Sequence, residues 1–172
     1  MNEYELTFLP KTIPSKVWSS PMKEIVDIYI PVSSIHPHLR IRKSGTKYEI
    51  TNKQPAVKGD ASHQIETTIQ LTPEEYTDFE IVKGKRIYKN RYLYDEGGTL
   101  FEIDVFEKDL TGLILVDVEF RSNKEKSNFV MPSWLLVDVT QESFTAGGML
   151  CGKNFSDIKD NLSRFGYSGI VK

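Results

Sequence analysis

Acidic residues alternate with apolar residues in the second half of this chain. The stretch FEIDVFEKDLTGLILVDVEF, residues 101 to 120, carries Glu102 and Asp104 and then Asp117 and Glu119. Side chains two apart on a β-strand share a face, so each pair predicts a small acidic patch. Carboxylates grouped in this way can bind Mg²⁺ or act as general bases, although on a half-buried sheet they would simply face water.

Same-sign charged pairs with this spacing recur along the chain. Three further pairs are Glu3 with Glu5, Arg40 with Arg42 and Lys89 with Arg91, while Lys53 and Glu66 occupy strand positions of their own. A solvated strand face usually mixes its charges and pairs opposite ones across the sheet, because like charges repel. The recurrent pairs are therefore compatible with a binding face, but periodicity alone leaves a solvated face as the alternative.

An inward orientation of these side chains would define the chemistry of the site. About seven carboxylates and five cations would then line one cavity. Charges in a dry interior cost several kcal/mol per ion unless they are matched, so a wet tunnel with ligands is the stable arrangement. Arginine and lysine suit phosphate oxygens, and carboxylates suit Mg²⁺ bound together with substrate phosphates. A metal-bound triphosphate would satisfy both signs of charge.

Strands are the elements that must position these residues. Alternation predicts eight of them, at 3 to 9, 24 to 31, 38 to 44, 47 to 53, 63 to 71, 86 to 95 and twice within 101 to 120. Glycines in KSGTK and DEGGT indicate tight hairpin turns between neighbouring strands. We therefore predict an α+β, mainly β fold: a closed eight-stranded antiparallel β-barrel, or tunnel, with a few short flanking helices, since closure removes exposed edges.

Helix signals interrupt the strands at three places. Thr72 with Glu75 and Ser122 with Glu125 form capping-box patterns. A last helix is predicted at about 156 to 166, ending at a glycine. We expect a single tunnel domain over residues 1 to 172, with a core of about 1 to 150 and the last helix packed outside it.

The composition is that of an ordinary globular domain. The chain has 172 residues, 39% hydrophobic and 27% charged, and its 22 basic and 24 acidic residues argue against a nucleic-acid binder that works by net positive charge. The single Cys151 excludes an internal disulfide, and no apolar run reaches the roughly 20 residues that span a bilayer. The chain starts without a signal-like segment. We expect no DNA partner, no membrane contact and a cytoplasmic location.

The ordered series of motifs resembles the CYTH superfamily, the triphosphate tunnel metalloenzymes, which include class IV adenylate cyclases, thiamine triphosphatases and inorganic triphosphatases. NEYELTF is similar to the N-terminal ExExK signature, LRIRKSGTKYEITNK to the RxR hairpin with its following lysine, and HQIETTI to the ExE strand. YKNRY resembles the KxRY stretch, residues 101 to 120 the acidic hairpin, and PSWLLVDVT the segment that follows it. The resemblance runs in order from about residue 3 to residue 140.

Two residues depart from the superfamily pattern. Thr7 stands where the signature has lysine, and Thr68 stands where a second glutamate is usual. Thr7 removes one cation, which would affect substrate affinity, chain-length preference or turnover. Thr68 removes one carboxylate, and together the two changes keep a non-hydrolytic binding role open.

The resemblance implies a role for each charged position. The implied ligands of Mg²⁺ or Mn²⁺ are Glu3, Glu5, Asp117 and Glu119. The implied substrate-binding residues are Arg40, Arg42, Lys53, Lys89 and Arg91. The implied catalytic residues, which would activate water or hold a second metal, are Glu66, Glu102 and Asp104.

The resemblance predicts a metal-dependent triphosphate hydrolase that acts on inorganic tripolyphosphate or on an organic or nucleoside triphosphate. One alternative is a class IV-type adenylate cyclase that makes cyclic AMP from ATP, and another is a polyphosphate- or nucleotide-binding protein without turnover. A plain β-barrel binding module with an exposed charged face is the alternative outside the superfamily. The expected partner is a small molecule that contains a triphosphate, and a homodimer is allowed.

Overall fold

The structure, a computed structural model, describes residues 2 to 171. Its strands are β1 (Asn2–Pro10), β2 (Met22–Ile30), β3 (Leu39–Ser44), β4 (Lys47–Val57), β5 (Asp60–Leu71), β6 (Lys85–Glu96), β7 (Thr99–Phe106), β8 (Ile114–Phe120) and β9 (Leu135–Asp138). Its α-helices are α1 (Pro73–Glu80), α2 (Asn123–Ser127), α3 (Gly147–Leu150) and α4 (Phe155–Ser163). Short 3₁₀ turns lie at Ser15–Ser19, Lys108–Leu110 and Ser143–Thr145. Met1 and Lys172, which the predicted domain includes, lie outside the described residues.

The first eight strands form a closed antiparallel barrel. Neighbouring strands follow the order β5, β4, β3, β2, β6, β7, β8 and β1, and β1 pairs back onto β5. The closing contact places Glu3 opposite Gln64 and Tyr4 opposite His63. β9 adds a ninth strand, which pairs with the end of β1 from Phe8 onward. The predicted closed β-barrel with short helices is confirmed.

The β4–β5 hairpin extends further than alternation predicted. The expected strands stop at residue 53 and start at residue 63, whereas the observed pairing continues to Val57 opposite Asp60. A register shift between Pro55 and Val57 interrupts the alternation there, which explains why the pattern alone missed the extension. Gly59, with φ of 89°, makes the turn.

The helices begin with the expected capping chemistry. In α1, Thr72 accepts a hydrogen bond from the Glu75 amide and the Glu75 side chain returns one, as the capping-box pattern predicted. α4 begins one residue earlier than expected, because the Asn154 side chain accepts from the Asp157 amide and caps the helix. It ends at Ser163 rather than near residue 166. Among the described residues, no helix has the length and apolar character needed to cross a bilayer.

Apolar side chains cover the barrel outside and fill one end of it inside. On β7 and β8, the residues that alternate with the acidic pairs, such as Ile103 and Val116, are fully buried against outer segments. Inside, Ile87, Phe106 and Leu115 belong to a cluster that continues into α3 and α4. These three side chains also line the barrel cavity and give it an apolar floor.

α3 closes the floor end by backbone contact. Gly147 lies against the hydroxyl of Tyr29, and Gly148 lies against Pro37 and His36, so a Cβ at either glycine would overlap these neighbours. Both glycines line the cavity. One end of the charged cavity is therefore closed by apolar side chains and by the backbone of the α3 glycines.

Candidate active site

A cavity of about 430 Å³ lies inside the barrel. It is lined by eleven of the predicted site residues: Glu3, Glu5, Arg40, Arg42, Lys53, Glu66, Lys89, Arg91, Asp104, Asp117 and Glu119. The remaining one, Glu102, lies in a smaller cavity of about 260 Å³ that Glu119 also lines. The same-sign pairs therefore face the bore, and the solvated-face alternative does not hold for them.

Three glutamates converge where β1 meets β8. Glu5 lies opposite Glu119 in the strand register, and Glu3 is two residues away on the same face. Each residue contributes one carboxylate oxygen to a group whose members all lie within 4.8 Å of one another. Lys53 reaches the same group, with its Nζ 2.9 Å from Glu3 Oε2 and 3.1 Å from Glu5 Oε2. The strand register thus assembles a compact carboxylate cluster beside one ammonium group.

The pKa values of this cluster reflect its crowded negative charge. Partial burial, together with the carboxylates of Glu102 and Glu3, raises the pKa of Glu119 to about 7. Burial also acts to raise the pKa of Glu3, but the ammonium of Lys53 outweighs it and lowers that pKa. Three carboxylate oxygens at this separation, with charge that one lysine does not balance, suit a hard divalent cation.

Asp117 lies next to the cluster and has one close hydrogen-bond donor among the residues that the structure describes. The hydroxyl of Thr7 donates to Asp117 Oδ1 at 2.8 Å, and Arg91 Nη2 lies 3.4 Å from Oδ2. Burial and the negative charge of Glu5 raise the pKa of Asp117 to about 6. Asp117 is therefore held in place mainly by a neutral hydroxyl.

A second network surrounds Asp104. Arg91 donates from Nε and Nη2 to its two carboxylate oxygens at 2.6 and 2.7 Å, and Lys89 also donates to it. Arg91 Nη1 donates to Glu102. Burial acts to raise the pKa of Asp104, but Arg91 and Lys89 hold it well below its usual range. Burial lowers the pKa of Lys89, although the negative charge of Asp104 acts to raise it.

Arg40 has looser contacts than Arg91. Its Nη2 lies 3.9 Å from Glu66 Oε2, and its Nε is buried with no hydrogen-bond partner among the described residues. Glu66 Oε1 accepts a hydrogen bond from the Thr68 hydroxyl at 2.8 Å. A buried guanidinium donor without a partner is costly, so Arg40 Nε is a position where a ligand oxygen would be favourable.

Sequence reasoning missed Asp27 and Glu49, which also line the cavity. Asp27 is 1% exposed and accepts from Arg42 Nε and Nη2 at 2.6 and 2.8 Å. Its signal in the sequence is the aspartate within the apolar run IVDIYI, where an unpaired charge would be unfavourable. Glu49 lies opposite Arg42 on β4 and continues the alternation of that strand.

Acidic groups outnumber basic ones around the cavity. Among the described residues, its carboxylates are Glu3, Glu5, Asp27, Glu49, Asp60, Glu66, Asp104, Asp117, Glu119 and Glu142. Its lysines and arginines are Arg40, Arg42, Lys53, Lys89 and Arg91. This excess weakens the binding of a polyanion unless additional cations accompany it. The charge balance therefore favours a ligand that combines an anion with metal ions.

Comparison with known proteins identifies the superfamily. No protein-family profile matches the chain. An inorganic triphosphatase of Nitrosomonas europaea is 37% identical over 150 residues, which cover 83% of this chain and 91% of that protein. The chain belongs to the CYTH superfamily. The resemblance seen in the ordered motifs is thereby confirmed.

Solved structures agree with this assignment to the CYTH superfamily. A crystal structure of an inorganic triphosphatase superposes with a TM-score of 0.62 at 29% identity, covering 87% of this chain and 93% of that one. A putative adenylate cyclase of Bacillus halodurans superposes with a TM-score of 0.52 at 16% identity, covering 99% and 92%. The second likeness shows the shared fold alone.

Each of the two departures from the CYTH pattern introduces a threonine whose hydroxyl donates a hydrogen bond to a cavity carboxylate. Thr7, in the lysine position, donates to Asp117, and Thr68, in the glutamate position, donates to Glu66. One change removes a positive charge and the other removes a negative charge, so together they leave the net charge of the cavity unchanged.

Proposed function

We propose that this CYTH protein hydrolyses the terminal phosphoanhydride bond of a linear triphosphate held in the barrel cavity. The observation that carries the proposal is a single cavity of about 430 Å³ that joins a three-glutamate cluster to five cationic side chains. The 37% identical protein is named an inorganic triphosphatase, which makes inorganic tripolyphosphate the first substrate to test.

Mg²⁺ or Mn²⁺ is the cofactor that we propose for this reaction. Glu3, Glu5 and Glu119, with Asp117 beside them, would hold it, since their oxygens fit a hard divalent ion. When bound, such an ion neutralises charge on phosphate oxygens and lowers the pKa of a water molecule. Because the pKa of Glu119 is raised to about 7, this carboxyl group is protonated in a fraction of the molecules near neutral pH. In those molecules it must lose its proton before it can bind a cation.

The cationic side chains would bind the phosphate groups. Phosphoryl transfer depends mainly on positioning and on neutralising charge over the equatorial oxygens, so donors fixed in the wall are the main requirement. Arg40 offers a buried Nε with no partner among the described residues, and Lys53 stands beside the glutamate cluster. Arg42, Lys89 and Arg91 would complete the cradle.

The three carboxylates predicted to activate water differ in availability. Asp104 is 1% exposed, and Lys89 and Arg91 engage its oxygens, so we assign it to holding these cations rather than to accepting a proton. Glu66, oriented by Thr68, and Glu102, near Glu119, stay our candidates for orienting the attacking water.

Phosphate release from tripolyphosphate, thiamine triphosphate and ATP, each with Mg²⁺ or Mn²⁺, tests the proposal. We expect release from at least tripolyphosphate and its loss in Glu119→Gln. Glu107→Gln is the matched control, because Glu107 is exposed and contacts Asn90 outside the cavity. Formation of cyclic AMP from ATP would identify a cyclase, and tight tripolyphosphate binding without phosphate release over hours would identify a binding protein.

Location and assembly are also part of the proposal. The unpaired Cys151 fits a reducing cytoplasm, and the superfamily resemblance allows a homodimer. Cell fractionation and light scattering after size-exclusion chromatography test these two predictions separately.

A further inference from the structure

Two cavity arginines are held by buried aspartates through the same edge of the guanidinium. Arg91 uses Nε and Nη2 to contact Asp104 at 2.6 and 2.7 Å, and Arg42 uses Nε and Nη2 to contact Asp27 at 2.6 and 2.8 Å. Each aspartate is 1% exposed. A bidentate pair of this kind fixes the plane of the guanidinium as well as its distance.

The Asp27–Arg42 pair is set by strand register. The two residues lie directly opposite each other on β2 and β3, so their side chains meet without a long reach. Asp27 stands between Ile25 and Tyr29 on the inward face of β2, and both neighbours are buried. A buried carboxylate is stable only with a partner. Arg42 is the partner that the hydrogen bonds show, and the positive charges of Arg40 and Lys89 also act on Asp27.

Arg42 has a competing partner on its other side. Glu49 lies opposite it on β4 and also lines the cavity. Without Asp27, the guanidinium would be free to turn toward Glu49, because opposite charges on facing strand positions attract. Asp27 therefore selects one of two orientations that the strand register makes available to Arg42.

The pairing also changes what Arg42 can contribute. The negative charge of Asp27 balances its positive charge, so Arg42 adds little net attraction for a polyanion. The pair occupies Nε and Nη2 and leaves Nη1 outside the fork. Arg40 differs, because its closest carboxylate oxygen in an ion pair is 3.9 Å away and its Nε has no partner among the described residues. Arg40 is suited to attract a polyanion through its positive charge. Arg42 is suited to direct one N–H group at a fixed position.

We propose that Asp27 is a positioning residue for triphosphate binding, which holds Arg42 in one orientation so that Nη1 meets a phosphate oxygen. This assignment rests on the proposed function of the cavity. Asp27 is outside the residues that the superfamily motifs singled out, and its effect on the substrate passes through Arg42.

Tripolyphosphate binding to four proteins tests this proposal: the native chain, Asp27→Asn, Arg42→Gln and the double variant. Isothermal titration calorimetry in EDTA measures binding without turnover. We expect Asp27→Asn to weaken binding roughly tenfold, the size of one lost charged hydrogen bond. A purely electrostatic role predicts the opposite, since removal of a negative charge would tighten the binding of a polyanion. In the Arg42→Gln background, Asp27→Asn should cause no further loss.

Two variants separate geometry from charge and from folding. Arg42→Lys keeps the charge but cannot form the bidentate fork, so it should bind as weakly as Arg42→Gln. The double variant leaves no unpaired charge at positions 27 and 42 and should therefore melt cooperatively even if Asp27→Asn does not. Its binding compared with that of Arg42→Gln then reports on Asp27 alone. Glu107→Gln serves as the exposed carboxylate control.

The outcomes distinguish this inference from the proposed function. Equal or tighter binding by Asp27→Asn, or a double variant weaker than Arg42→Gln, would overturn the role of Asp27. Native protein that binds tripolyphosphate in EDTA but releases no phosphate with Mg²⁺ or Mn²⁺ would refute hydrolysis and leave the binding comparison readable. Phosphate release with metal but no tripolyphosphate binding in EDTA would overturn the role of Asp27 alone. Native protein that neither binds tripolyphosphate in EDTA nor releases phosphate with Mg²⁺ or Mn²⁺ would refute both.

Discussion

Neighbours decide what each charged side chain of the cavity can do. Asp104 and Glu119 are both carboxylates of the acidic hairpin, yet Lys89 and Arg91 keep the pKa of Asp104 low, whereas burial and nearby carboxylates raise that of Glu119 to about 7. The same-sign doublets in the sequence were compatible with a bore-facing orientation, and the CYTH resemblance implied that orientation for both residues. Their different partners depend on strand register, which alternation within one strand does not reveal.

Asp27 shows the limit of sequence reasoning at the residue scale. A single aspartate among apolar residues carries no doublet and belongs to none of the recognised motifs. Its importance becomes visible only when β2 and β3 are aligned and Arg42 is found opposite. The three-glutamate cluster was easier to predict from the sequence, because Glu3, Glu5 and Glu119 each belong to a same-sign pair.

The hydroxyl of Thr7 provides a prediction at this scale. Thr7→Val removes the donor to Asp117 while keeping the shape, so the pKa of Asp117 should rise further and Mn²⁺ binding at pH 7 should weaken by roughly tenfold. Thr7→Ser keeps a hydroxyl and is the matched control. Calorimetric titration with Mn²⁺ measures the difference. Equal affinities in the two variants would show that the hydroxyl does not position Asp117.

At the scale of elements, alternation located every barrel strand but misjudged some ends. Strands of mixed apolar and charged character are readily identified, because each has one buried and one bore-facing side. The β4–β5 hairpin was underestimated where Pro55 and the following register shift break the period. α4 was placed one residue late, because Asn154 competes with Ser156 as a cap and only the backbone geometry decides between them.

The cap of α4 gives a prediction at the element scale. Asn154→Ala removes the acceptor for the Asp157 amide and should reduce the free energy of unfolding by about 1 kcal/mol. Lys159→Ala, an exposed change on the same helix, should have a smaller effect. Urea unfolding followed by circular dichroism compares the two variants. Equal destabilisation would argue that the cap contributes nothing specific.

At the scale of the whole molecule, closure was predictable and the sealed end was not. Eight alternating strands with hairpin turns favour a barrel on general grounds. The apolar floor of Ile87, Phe106 and Leu115 depends on how α3 and α4 dock, and no local pattern encodes that contact. The excess of carboxylates around the cavity is likewise a property of the assembled barrel.

This excess predicts an unusual pH dependence of stability for the metal-free protein. The folded state raises the pKa of Glu119 from 4.5 to about 7 and that of Asp117 from 3.8 to about 6. Their stabilising contribution is therefore present at acid pH and is lost as the pH rises through these values. Asp27 and Asp104 have lowered pKa values, so their contribution is lost only in stronger acid.

Melting temperatures in EDTA between pH 5 and pH 8 measure this effect. We expect the melting temperature of the native chain to fall across the range more steeply than that of Glu119→Gln, which lacks one of the two groups. Addition of Mn²⁺ at pH 8 should raise the native melting temperature more than that of the variant. Parallel pH profiles for the two proteins would contradict the assignment.

Gly147 packs so closely against the Tyr29 hydroxyl that a Cβ methyl group at this position would overlap it. The depth of the bore therefore depends on the absence of that methyl group. Any relative that carries even alanine at this place must either give up the tyrosine or lift its α3 outward, and the second change lengthens the channel. The depth of the cavity in a barrel of this kind is then limited by a wall residue whose side chain is a single hydrogen atom.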